Sequence, residues 1–453
     1  MEDLTKGSLV RHLMKTTSFM LVTMVFQTLY FLVDLYWVGR LGKEALAGVG
    51  IVGNLTFVVL AITQMLGVGT TTLVAHAAGR KDRDRAQSVF NQSVILGVVI
   101  GMVFLLLMTA VHHAYVSALS ADSLTAARAT EYLTWFIPAM ALQYPMVVMA
   151  AALRGTGNFK PGMVVQTATV ILNMVLAPFL MFGWMTGHPL GVAGAAQASL
   201  IAILIGTIWL SMYFIPASSY LKFPTEWKPK VGLWGQVLKI GLPAGAEFAL
   251  IAAYLFIVYS VSRPFGAVAQ AGFGIGLRVN QAAFMPVVAL GFAVAPVAGQ
   301  NFGAREAHRV RETFRRAASM AAGVMLLFTI ACQIAPAPMI RFFSSDPAVI
   351  AVGSEYLRII SWSSMASGVI FVNASMFQAM GNTIPPLVAS FTRILLVAIP
   401  LTLLVRLPAF ELRWIWYLSV AATILQLVMN LLLLRREFQA RLGFEAVPAL
   451  QAP

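Results

Sequence analysis

The chain has little charge and almost no sulfur chemistry. Of its 453 residues only 11% are Asp, Glu, Lys or Arg, and there is a single cysteine, Cys332. Soluble proteins carry roughly a quarter charged residues. A lone cysteine inside an apolar run excludes an internal disulfide, a CxxC metal site and a thiol relay, and reads as packing or lipid-facing material. Enzyme signatures are missing too: there is no HExxH, Walker A, GxSxG or DDxxD pattern. The six histidines are scattered except for His112-His113, which reads as a solvated pair in an external loop. The expectation is a non-enzyme with no catalytic residue, no metal site and no organic cofactor.

Apolar sequence fills the space. The composition is 59% hydrophobic and the mean hydropathy is +0.82, which makes the chain an all-α integral membrane protein. A bilayer core about 30 Å thick takes about 20 apolar residues per helix. Twelve spans are predicted, near 17–38, 46–74, 89–111, 129–152, 161–183, 191–214, 240–261, 268–297, 316–338, 353–378, 385–405 and 413–434. The apolar run behind the N-terminus is too long for a signal peptide and lacks a small-residue cleavage site, so it reads as a retained first helix.

A net charge of +14 in a soluble chain would suggest nucleic acid, but here the charges sit in short loops, so no nucleic-acid partner is expected. Sorting the 31 basic residues by alternate loops places 21 on the side holding both termini and seven on the other, with Arg278, Arg358 and Arg393 within or at the ends of helices. Both termini are therefore expected in the cytoplasm.

The chain repeats itself. At an offset of 224 residues, Gly42, Gly48, Gly50, Gly67 and Gly79 fall on Gly266, Gly272, Gly274, Gly291 and Gly303. Arg85 falls on Arg309, Glu131-Tyr132-Leu133 on Glu355-Tyr356-Leu357, Gly157-Asn158 on Gly381-Asn382, and Pro161 on Pro385. The ungapped stretch from 42 to 161 holds 23 identities, many on Gly, Pro and charged positions where chance matches are rarest. Each half has an even number of crossings, so the halves are parallel repeats, expected to face each other across a central cleft. The organisation read from this is an N-terminal six-helix half (1–221), a cytoplasmic linker (222–239) and a C-terminal six-helix half (240–453).

Acids inside apolar runs are functional candidates, because an ionisable group at membrane depth is costly without a use. Asp34 and Glu247 qualify. Thr23, Gln27, Tyr30 and Asp34 recur at helical spacing and form one polar stripe on the first helix. The competing reading pairs Asp34 with Arg40 near the external interface. On helix five Gln166, Thr169, Asn173 and Ala177 share a face, with Pro178 following; a small polar chamber or plain interhelical bonding would both use it. For Glu247, one turn after Pro243, a cleft acid and an interfacial cap remain open. Glu131 and Glu355, near the expected helix starts, read as complements to the positive helix end.

Four segments, FLVDLYWVGRLGKEALAGVG, LRGTGNFKPG, ILNMVLAPFLMFGWMTGHPLGVAGAAQAS and VAGQNFGAREAHRVR, together resemble the multidrug and toxic compound extrusion family over nearly the whole chain. The resemblance implies a secondary antiporter that expels lipophilic, often cationic organic compounds or drugs in exchange for protons or sodium ions. It carries Asp34, Asn173 and Ser199 over as the N-terminal cation site, and Glu247 as an acid found on helix seven in part of the family. One departure stands out: where many members read N-x-x-x-D on helix five, this chain has Asn173 and then Ala177. Losing a carboxylate weakens a sodium site, while Asp34 alone suffices for proton exchange. The implied protein is mainly proton-coupled, with sodium as the alternative coupling ion, monomeric, and resident in a bacterial inner membrane. A flippase or exporter of lipid-linked or anionic substrates ranks second, with Arg278, Arg358 and Arg393 as the candidate cleft arginines. A non-transporting scaffold ranks last.

Overall fold

The computed structural model describes residues 2–120, 122–184, 187–216, 218–223, 227–408 and 410–443. Among them there is no strand. The helices are α1 (Leu9–Gly39), α2 (Lys43–Gly79), α3 (Arg83–Leu119), α4 (Ser123–Gly155), α5 (Lys160–Phe182), α6 (Gly191–Met212), α7 (Val231–Ser262), α8 (Gly266–Gly303), α9 (Ala307–Ile334), α10 (Pro336–Arg341), α11 (Pro347–Ile360), α12 (Ser364–Ala379), α13 (Ile384–Leu404) and α14 (Leu412–Arg441).

Eleven helical stretches are long and apolar enough to cross a membrane. One of them, Val231–Gly303, holds both α7 and α8 on either side of a 3-10 turn at Arg263–Phe265, so the crossings number twelve. The tenth, expected as a single helix over 353–378, is split into α11 and α12 by a 3-10 turn at Ser361–Ser363. Serine side chains compete for backbone partners, and the carbonyls at the break are taken up by neighbours: Thr329 donates to the Ser361 carbonyl (2.8 Å) and Gln333 to that of Arg358 (2.7 Å).

The helices outrun their apolar cores, because polar turns beyond the hydrocarbon remain helical. Three expectations change as a result. His112-His113 lies inside α3 rather than in a loop, with His112 buried and its Nδ1 2.8 Å from the Thr109 carbonyl. Neither Glu131 nor Glu355 is in a first turn: Glu131 pairs with Arg128 at 3.0 Å, and Glu355 approaches Arg413 at 3.9 Å. The acid that caps α4 is instead Asp122, whose carboxylate accepts from the Thr125 and Leu124 amides at 2.8 and 3.0 Å. These bonds, that from Thr125 foremost, hold its carboxyl below the usual range.

The internal repeat extends to backbone detail. Lys81 and Arg305, offset by 224 residues, are the only non-glycine residues with positive φ among the described residues, at 59° and 62°. Gly157 and Gly381 match likewise (79° and 75°). At each of these four the next residue's amide folds back five residues, as in Asn158 to the Leu153 carbonyl and Asn382 to that of Phe377, both 3.0 Å.

The chain packs as two compact units whose edges do not follow the chain midpoint. One holds Ser18–Gly245, and the other holds Leu4–Thr17 with the residues from Ala246 onward. In the first unit the residues entering α7 lie against α2 and α3. Gln92 donates to the Lys228 carbonyl (2.9 Å) and accepts from the Lys230 amide (2.7 Å), while Arg85 donates to Gln236 (2.7 Å). A side chain at Gly69 or Gly241 would run into the backbone of Val237 or Met65, so these helices touch through bare backbone. In the second unit the residues entering α1 are held the same way. The Leu4 amide donates to Gln300 (3.0 Å), Arg309 donates to the Gly7 carbonyl (3.1 Å), and Leu4, Leu9 and Leu13 are buried with Val294, Val297 and Phe377. Arg85 and Arg309 are repeat partners, and each grips the arm that leads into the other half's first helix.

Candidate functional site

In the first unit, α1, α4, α5 and α6 bring six of the relevant side chains together. Asn173 on α5 and Ser199 on α6 are both buried, and the Asn173 amide donates to the Ser199 hydroxyl at 2.8 Å. Ser199 directs its proton to the Ala195 carbonyl (3.2 Å), so the Tyr30 hydroxyl, 3.2 Å away, is the donor of the remaining bond. Asp34 stands one turn beyond Tyr30. It is half-buried, and its Oδ1 is sealed from solvent without a hydrogen-bond partner among the described residues. Its charge acts on two phenols, Tyr30 and the buried Tyr132 of α4. Ala177, one turn beyond Asn173, is buried and contributes no oxygen.

Arg40 does not neutralise Asp34: its guanidinium lies over the rings of Tyr36 (5.6 Å) and Trp37 (5.9 Å). Trp37 is also packed edge-on against Phe182 and Trp184, so aromatic residues cluster one turn past the acid.

The other stripe residues have different surroundings. Thr23 is buried and turns its hydroxyl back onto the Phe19 carbonyl (3.0 Å), while Gln27 is exposed. Thr169 bonds the Val165 carbonyl (2.8 Å) and closes over Gly206 of α6, where there is no room for a side chain. Gln166 is half-buried on the same face. Neither Gln27 nor Gln166 joins the Tyr30–Ser199–Asn173 network.

Glu247 lies in the second unit, apart from these residues. The Ser390 hydroxyl of α13 is within hydrogen-bonding reach of its carboxylate, and Arg393 is within electrostatic reach. Ser390 also accepts from Gln426 of α14 (3.1 Å). Arg393 sits over the Tyr254 ring at 5.1 Å, and the Tyr254 hydroxyl donates to Ser419 at 2.8 Å. Of the three helix arginines, Arg278 and Arg358 are exposed; only Arg393 is drawn inward.

Tyr132, Ser390, Tyr254 and Gln426 were not singled out from the sequence. Tyr132 carried one signal, since it belongs to the repeated Glu-Tyr-Leu triplet. Tyr254 carried another, because it is the 224-residue repeat partner of Tyr30. Cys332 is buried among aromatic and aliphatic side chains of the second unit, as packing material. No group of three or more potential metal ligands occurs among the described residues.

Twelve apolar helices in two repeated sets, with acids held at membrane depth, define a multi-pass membrane transporter. A family model described as MatE matches residues 20–179 and 243–404, one segment in each repeat, and the chain belongs to this family of multidrug and toxic compound extrusion transporters. Its members are transporters rather than enzymes. The chain is 24% identical over 410 residues to a probable multidrug resistance protein NorM of Thermotoga maritima, covering 90% of this chain and 88% of that one. It is 23% identical over 383 residues to the multidrug export protein MepA of Staphylococcus haemolyticus, covering 83% of each. Among solved structures, the outward-facing conformation of a multidrug resistance MATE family transporter of the MOP superfamily superposes with a TM-score of 0.88 at 22% identity, covering 97% of this chain and 98% of that one. That likeness establishes the fold.

Proposed function

We propose that this protein exports lipophilic, often cationic organic compounds by alternating access, driven mainly by inward-moving protons, with Asp34 as the proton carrier. The Asp34 carboxylate carries the reading. It is an acid at membrane depth with a sealed, unpartnered oxygen and, among the described residues, no cation that offsets it. Taking up or releasing one proton changes the charge of this site by a whole unit, with nothing local to offset it. A proton and a cationic substrate are then alternatives for one negative charge, which is the differential affinity an exchanger needs. The names of the relatives, a probable multidrug resistance protein and a multidrug export protein, support drugs as substrates.

The donor set supports protons over sodium. Both lone pairs of Ser199 are occupied by Asn173 and Tyr30, the Ala177 side chain offers none, and the side-chain oxygens left are those of Asp34, the Asn173 amide oxygen and the weakly ligating Tyr30 phenol. A hard cation prefers more. The protein acts as a monomer in a bacterial inner membrane with both termini in the cytoplasm; reporter fusions after Gly187 and after Leu233 should then report opposite sides. The deciding experiment measures substrate efflux in everted vesicles under separately imposed proton and sodium gradients. A proton gradient alone should drive transport. Strict sodium dependence would overturn the reading and move attention to Glu247.

A further inference from the structure

The two units use the same positions for different chemistry. At the 224-residue offset, Tyr30 corresponds to Tyr254, Ser199 to Thr423, Thr23 to Glu247, Gln166 to Ser390 and Thr169 to Arg393. The tyrosine meets a hydroxyl on the last helix of its half in both units, Ser199 at 3.2 Å and Ser419 at 2.8 Å. The shared scaffold is therefore neutral at the places where the second unit carries an acid and an arginine.

Arg393 is not spent on structure. Its Nε is buried without a hydrogen-bond partner, and it forms no direct ion pair with Glu247 among the described residues. Its planar face rests on Tyr254 at 5.1 Å, which leaves the N–H edge for an acceptor in the plane. The Gln426 Oε1 beside Ser390 is likewise buried and unpartnered. Arg393 lies nine residues into α13, about 14 Å along the helix axis from its start. That depth is below lipid headgroups, which stay at the interface.

We propose that Arg393, with Tyr254 and Gln426, forms a second substrate subsite in the C-terminal unit that takes the carboxylate of an organic anion or zwitterion, and that Glu247 competes with that carboxylate for the arginine. Among the described residues, Arg393 is the charged group that bears on Glu247, and Tyr254 is the other titratable group that bears on Arg393. When Glu247 is ionised it holds the arginine electrostatically; when protonated, it releases the arginine to the ligand. The subsite extends the efflux reading to carboxylate-bearing compounds. A binding measurement tests it without relying on transport.

The probe is a fluorescent aromatic carboxylate, ionised throughout the working pH range, with its methyl ester as the neutral isostere. Equilibrium binding is measured by anisotropy on the full-length protein in micelles. The natural protein should bind the carboxylate about tenfold more tightly at about pH 5.5 than at about pH 8, the size of an ordinary coupling between two sites, with the ester unaffected by pH. Arg393→Thr, which installs the residue of the repeat partner, should lose carboxylate binding about tenfold or more and keep that of the ester. Arg393→Lys, a fold-preserving control that keeps the charge and loses the planar fork, should bind with intermediate affinity. Glu247→Gln should bind the carboxylate tightly at both pH values. Carboxylate affinity unaltered in Arg393→Thr, or no preference for carboxylate over ester in the natural protein, would overturn the subsite. A Glu247→Gln variant no tighter than the natural protein at about pH 8 would overturn the competition.

Discussion

The first unit keeps one acid with no base beside it; the second sets an acid next to an arginine. Asp34 adjoins Tyr30 and Tyr132, and the nearby Arg40 turns onto aromatic rings. Glu247 reaches Ser390 and Arg393. Both environments grow from one repeated scaffold, with the same helix order and a matching tyrosine-to-hydroxyl contact. The depth of the acid differs as well. Asp34 lies one turn after its tyrosine along α1, and Glu247 two turns before the corresponding tyrosine along α7. Protonation takes the site of a lone carboxylate from one negative charge to neutral, whereas it takes an acid–arginine site from neutral to one positive charge. Duplication supplied the frame, and substitution at a handful of equivalent positions made the halves electrically unlike.

The largest expected effect separates the two acids. Asp34→Asn should remove proton-driven efflux, by about a hundredfold or more, with normal expression and thermal stability; Glu247→Gln should cost no more than about fivefold for cationic substrates. Equal losses in both, measured in the same vesicles, would erase the functional asymmetry. The next effect is a gain: Ala177→Asp places a second carboxylate on the face of Asn173, at a buried position. Two like charges in a poorly solvated site cannot both ionise cheaply unless a cation joins them. That variant should show an alkaline shift of its pH optimum or a new sodium dependence, and a profile identical to the natural protein would mean that the Ala177 face does not reach Asp34.

Smaller still, Tyr30→Phe and Tyr254→Phe each delete one hydrogen bond to a buried or part-buried hydroxyl, worth about 1 kcal/mol. Similar stability losses are expected by thermal shift, but only Tyr30→Phe should alter proton-driven efflux. The smallest effect lies at Asp122, outside the membrane. Its folded-state pKa is depressed, so its contribution to stability is present above the unfolded-state value and fades as pH falls through the folded-state value. Asp122→Asn should flatten the acid limb of the melting-temperature profile and leave transport unchanged; an unaltered limb would show that the cap bonds do not favour the ionised form.

Much of the fold was legible because hydropathy, Gly and Pro act locally. The twelve spans, the parity of the halves and the repeat needed no tertiary information, and the repeat pointed to Arg85 and Arg309 before their arms were visible. The break at Ser361–Ser363 was missed because an apolar run containing serines still reads as one helix; Thr329 and Gln333, from α9, stabilise the interruption. The edges of the two compact units are not legible in the chain for a similar reason. Residues 4–17 and 227–245 lead into and form the starts of α1 and α7, and their partners, Gln300 and Gln92 among them, lie far away in sequence.

At the site, the spacing of Tyr30 and Asp34 and of Asn173 and Ala177 was readable at 3.6 residues per turn. The sequence by itself therefore determined which residue types sit on which helix face, and the resemblance of its motifs to a known family supplied the class of transporter. Only the tertiary structure decided that Ser199 receives both Tyr30 and Asn173, that Arg40 leaves Asp34 unpaired, and that Arg393 sits over Tyr254 beside Glu247. Helix periodicity fixes an angle around one axis. Hydrogen bonds and charge pairing depend on which faces of separate helices are packed to within a few ångströms of each other.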